Sequence, residues 1–169
     1  MKKIFSEMDE VHSRLLSAVE PVNAEAFSRR PSEEAWSLAE ILHHLSIVEQ
    51  NVLKALQKEI KAPPRRVGLR GRLMPIRLLV GTRFVRVKAP KFVEPTGAPA
   101  KTEAITNFNS VREELKDFAQ QHGLERLENL VFKHPVLGPI SGVGALSFVS
   151  NHERRHSKQI QETIKKLGR

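Results

Sequence analysis

The chain has 169 residues, 40% of them hydrophobic, which suits a single domain spanning residues 1–169 and excludes a second independent core. It contains no cysteine, which rules out disulfides, thiolate nucleophiles and Cys-based zinc sites and leaves His, Asp and Glu as the possible metal ligands. The formal net charge is +9, and the excess is local: ten Lys or Arg and no Asp or Glu lie between Lys61 and Lys91.

Ile4, Met8, Val11, Leu15 and Val19 recur with the period of one helical face and predict a first helix that Pro21 closes. No run of 18 apolar residues occurs anywhere, and Glu7 interrupts the start before a signal-peptide core could form, so the expected location is the cytoplasm. Ser37 with Glu40 three residues on reads as a capping box, opening a second helix whose stripe Leu38, Ile41, Leu45, Val48, Val52 and Leu56 runs to about Ile60. Pro63-Pro64 stops it. Residues 61–100 hold six prolines and read as a long, partly ordered basic crossover with a short helix between Leu73 and Phe84. A third helix is predicted from about Thr102 to Gln121, ending at His122-Gly123, then an irregular link, then a last helix from about Val143 to Leu167. Four amphipathic helices with one long crossover between helices two and three predict an all-α four-helix bundle, a fold that builds metal sites from side chains on facing helices.

The strongest chemical signal is His152-Glu153-Arg154-Arg155-His156, an HExxH string whose imidazoles stand one helical turn apart, where both can bind one ion. At about 100° per residue, His156 falls inside the apolar stripe of the last helix and His152 at its edge. Of the pair on the second helix, His44 flanks Ile41 and Val48 while His43 points nearly the opposite way, so His44 is the better third ligand. His12, His122 and His134 read as a core or surface residue, a helix-end residue and a turn residue. A zinc protease of the HExxHxxGxxH type is excluded, because residue 159 is Gln where Gly is needed and residue 162 is Glu where His is needed.

The segment Trp36-Ser37-Leu38-Ala39-Glu40-Ile41-Leu42-His43-His44-Leu45, the approach His134-Pro135-Val136-Leu137-Gly138-Pro139-Ile140-Ser141 and the string from His152 to Ile160 resemble the DinB-like superfamily of four-helix bundles, related to the YfiT-like proposed metal-dependent hydrolases. The resemblance implies a metal triad of His44, His152 and His156 holding zinc or nickel, with manganese or iron as further options and water completing the shell. It also implies a small-molecule substrate and either hydrolysis or a transfer that uses a low-molecular-weight thiol; a homodimer is a further expectation.

Three neutral imidazoles would leave a divalent ion its full charge and open positions, able to acidify water towards pKa about 7 or to hold a thiolate. Glu153 is the candidate general base, but the helical offset does not aim it at a bound water, and a salt-bridging role is the favoured reading. Gln159 stands where it can hydrogen-bond a ligand histidine. The competing class is a non-enzymatic binding protein whose segment 61–91 docks nucleic acid or another acidic partner, although only Phe84 and Phe92 interleave its cations.

Overall fold

The computed structural model describes residues 2–81 and 90–168. In chain order its elements are α1 (Lys2–Val19), a short α2 (Ala24–Ser28), α3 (Leu38–Glu59), two short helices α4 (Leu69–Arg72) and α5 (Ile76–Val80), a 3-10 turn at Lys91–Val93, α6 (Lys101–Glu128), β1 (Val131–His134), β2 (Gly138–Ser141) and α7 (Gly142–Leu167). The long helices α1, α3, α6 and α7 form the four-helix bundle expected, with residues 60–100 as its one long connection.

The stripe residues of α1 explain its place: Met8, Val11, Leu15 and Val19 are all buried, against a polar outer face. The N-terminus of α3 is fixed by the capping box, in which Ser37 Oγ accepts from the Glu40 amide at 3.2 Å and Glu40 Oε2 accepts from the Ser37 amide at 2.8 Å. Arg30 donates to the same Glu40 carboxylate, tying the segment after α2 to this helix start. Ser37→Ala is expected to cost about 1 kcal/mol, seen as a lower urea midpoint with an unchanged slope.

The core divides into two apolar clusters, and their membership reveals the direction of each helix. One contains Met8, Val52, Leu56, Leu115, Phe118, Leu146 and Val149; the other contains Leu15, Val19, Leu38, Leu42, Phe108 and Ile160. Thus α3 and α6 run from the second cluster to the first, and α1 and α7 run the other way. Two neighbours that point the same way cannot be joined by a tight turn, which is why α3 and α6 need the long crossover. Between the clusters lies a layer of buried polar side chains, His12, Glu49, Arg112 and Glu153.

The crossover departs from the expected single short helix. It forms α4 and α5 instead, because Pro75 disfavours helical geometry in the residue before it. The end of that predicted helix, residues 82–84, lies outside the described residues, as do Val85, Arg86 and Lys88 beyond it. Val67, Ile76 and Val93 anchor the segment in the core. A Cβ at Gly71 would come within 2.2 Å of the Pro139 carbonyl oxygen, so only glycine lets α4 sit this closely on β2.

In α6 the predicted stop at His122-Gly123 is a break: Gly123 adopts φ 74°, and the chain resumes helically as far as Glu128. The link expected to be irregular is an antiparallel hairpin, pairing Val131 with Ser141 and Phe132 with Ile140. Its strands have four residues each and lack an Asn-Gly type turn, so periodicity had little to register. Ser141 then caps α7, accepting from the Gly144 amide at 3.1 Å.

Candidate metal centre

Helices α3 and α7 pack side by side, and each brings histidine to their shared groove. One ring nitrogen from each of His44, His152 and His156 lies within 4.8 Å of the others. Nε2 of His152 and Nε2 of His156 are 3.2 Å apart. Two nitrogens bound to one tetrahedral zinc at ~2.0–2.1 Å would stand about 3.3 Å apart, so the spacing suits a shared ion.

Hydrogen bonds select which nitrogen each ring offers. His44 Nδ1–H donates to the Val93 carbonyl at 2.7 Å, and His156 Nδ1–H donates to Gln159 Oε1 at 2.9 Å. Both oxygens are acceptors, so the proton belongs on Nδ1 and the Nε2 lone pair faces the centre. Burial holds all three histidines below the ordinary value of 6.5, His152 and His156 well below it, with neighbouring histidines adding to the effect. The donor set is therefore three neutral imidazoles, which fits zinc or nickel. Gln159→Ala frees the His156 tautomer and is expected to weaken zinc binding ten- to hundredfold in a chelator competition, as losses of ligand-orienting partners do.

The centre opens into a cavity of about 1380 Å³. Phe148 stacks on His152, with ring centroids 5.3 Å apart and an interplanar angle of 25°, and the Trp36 indole lies 5.0 Å from His44. These contacts fix the imidazole planes. His134 also lines the cavity, but its Nδ1 accepts from the amides of Val136 at 3.1 Å and Leu137 at 3.0 Å. Burial pushes its pKa down to about 4, so it stays neutral and serves the hairpin turn. His43 is half-buried and bonds the Gly97 carbonyl at 3.1 Å, and the His122 ring packs tilted against Phe118, with centroids 4.5 Å apart.

Glu153 is fully buried and is not among the residues that line the cavity. Its carboxylate accepts from Arg112 Nη2, and its Oε1 lies 3.3 Å from Nδ1 of His12. Arg112 also holds Glu49 in a bidentate pair, with Nη2 to Oε1 at 2.7 Å and Nε to Oε2 at 3.1 Å. Of the two roles open to Glu153 from sequence, the structure shows the ion pair and does not present its carboxylate to a ligand in the cavity. Burial pushes Glu49 up to about 8 and raises Glu153 as well, and one guanidinium offsets only one carboxylate, so the other keeps its proton near neutral pH. Sequence reasoning missed this network. Its signal was four polar residues at apolar-stripe positions: His12 between Met8 and Leu15, Glu49 between Leu45 and Leu53, Arg112 between Phe108 and Leu115, and Glu153 four residues after Val149.

Known proteins agree with this architecture. The chain is 29% identical over 151 residues to the uncharacterized protein YuaE of Bacillus subtilis (strain 168), covering 86% of this chain and 87% of YuaE. Two solved structures share the fold. TT2238, a four-helix bundle protein, superposes with a TM-score of 0.64 at 17% identity, covering 95% of this chain and 98% of its own. YfiT from Bacillus subtilis, described as a probable metal-dependent hydrolase with an unusual four-helix bundle topology, gives 0.66 at 14% identity, covering 99% and 87%. The family model of the DinB superfamily matches residues 7–160, nearly the whole bundle, and the chain accordingly belongs to the DinB superfamily.

Proposed function

We propose that the protein is a metal-dependent hydrolase of a small-molecule substrate, with zinc or nickel held by His44, His152 and His156. The observation that carries this reading is the convergence of three neutral imidazoles, two with tautomers set by carbonyl acceptors, at the wall of a large cavity. The description of YfiT as a probable metal-dependent hydrolase supports the reaction class. A divalent ion bound by such a set keeps its full charge and open positions, which acidifies water towards a pKa of about 7.

The chain's own residues do the rest. Val93 and Gln159 orient the rings of His44 and His156, and Trp36 and Phe148 shield the imidazoles of His44 and His152. Arg70, Lys133 and Lys166 line the cavity and are exposed, placed to hold an anionic part of the substrate. Glu153 works as the ion-pair partner of Arg112 in this reading and not as a general base.

The test is elemental analysis of wild type beside His156→Ala, followed by a panel of ester and amide substrates. Near-stoichiometric zinc or nickel in wild type, lost in the variant, is expected, with hydrolysis that a chelator abolishes and added metal restores. Turnover that requires an added low-molecular-weight thiol would assign transfer in place of hydrolysis. A wild-type protein that takes up no zinc, nickel or manganese would end the metalloenzyme reading.

A further inference from the structure

The excess charge and the exposed apolar surface fall on the same part of the molecule. Among the described residues, the large hydrophobic side chains left in solvent are Leu69, Leu73, Leu78, Leu79, Phe92 and Val136, 53% to 71% exposed. Five belong to the crossover. The sixth belongs to the turn between β1 and β2, next to strand β2, on which α4 is seated through Gly71 and Pro139. Leu79, Phe92 and Val136 line the metal-site cavity together with Arg70, so the patch includes its rim. Apolar exposure is common singly; its concentration in one place marks a binding surface.

The cations that accompany it are also available. The side chains of Lys61, Arg70, Arg77 and Lys91 are exposed and make no hydrogen bond or ion pair with the described residues. No acidic residue occurs between Lys61 and Lys91 to neutralise them. A partner must therefore be anionic outside and apolar just beneath. Nucleic acid meets the first requirement only, since it takes up cations and stacking aromatics and has no use for exposed leucines. A second copy meets the second requirement only, because a two-fold contact would set the cations of segment 61–91, which has no acidic residue, against themselves. A bilayer with anionic headgroups meets both.

We infer that this face docks on anionic phospholipid membranes, with Leu69, Leu73 and Leu79 among the headgroups and Arg70 and Arg77 on the phosphates. No described helix is long and apolar enough to cross a membrane, so the attachment is peripheral. It turns the cavity rim towards the lipid.

Flotation of the full chain with vesicles tests this, using phosphatidylcholine alone and phosphatidylcholine mixed with phosphatidylglycerol. The expected result is co-flotation with the mixed vesicles and not with the neutral ones, weakened in about 1 M salt, where screening acts within ~3 Å. Arg70→Glu with Arg77→Glu should lower partitioning by about fivefold or more per cation lost. Leu69→Ser, Leu73→Ser and Leu79→Ser together should lower it at least as much with the charge unchanged. All five positions are exposed, so the thermal midpoints should match wild type. Failure of the wild type to bind mixed vesicles overturns the proposal. So does binding that the serine variant retains in full, a dimer that the serine variant dissolves while vesicles bind neither form, or a preference for duplex DNA that the serines leave untouched.

Discussion

Arg112→Met is expected to destabilise the protein by about 3–5 kcal/mol, read as a fall of roughly 10 °C in thermal midpoint. Arg112 is 1% exposed and holds Glu49 and Glu153, themselves 1% and 0% exposed. Without the guanidinium, two carboxyls remain buried between the two apolar clusters without its charge, and both must take protons to stay there. The cost arises from breaking the set, not from the worth of the set itself. Arg112→Met combined with Glu49→Leu and Glu153→Leu should therefore regain most of the lost stability, and a triple variant as unstable as the single one would refute this account. The same layer shapes the pH profile. Glu49, raised from its ordinary 4.5 to about 8, keeps a proton in the folded state that the unfolded chain has already released, so its contribution falls as pH rises between those values. Glu49→Gln should flatten that part of the profile in denaturation curves taken across the window.

Zinc affinity is expected to hold nearly constant as pH falls through 6.5 and to collapse only in more acidic solution. For an exposed three-histidine site the loss would begin at the ordinary histidine value, with up to about tenfold per pH unit for each imidazole that must give up a proton. Burial has already lowered His44, His152 and His156, so the folded metal-free protein presents them neutral and protons compete late. The sign for stability follows. Below 6.5 the unfolded chain takes up protons that the folded one refuses, so folding weakens as pH drops towards the lowered values. Bound metal measured after dialysis across this range checks the point, and release that tracks an ordinary histidine titration would show that burial does not protect the ligands.

Much of this was legible in the sequence, for identifiable reasons. The four long helices announced themselves through stripes of 3.6-residue period and the Ser37 capping box. The choice of His44 over His43 followed from rotation about one helix axis, and the structure places its ring with those of His152 and His156. What periodicity could not supply was anything set by neighbours distant in the chain. The Val93 carbonyl that orients His44 is a backbone atom with no side-chain signature, and the hairpin at 131–141 is too short to show alternation. Glu153 shows why a string is weaker than a face: about 100° of rotation from His152 turns it from the groove into the interior.

The packing of α1 against α7 also orders events during synthesis. The ribosome releases α1 before the other bundle helices, yet the surface that covers Met8 and Leu15 is completed by the last helix of the bundle to be made. Until α7 emerges, the apolar stripes of α1 and α3 lack their full covering, and the bundle cannot close. Until then the bundle helices already made are amphipathic segments in need of protection. Stalled or truncated products ending before residue 142 are expected to be aggregation-prone or cleared, not partly active.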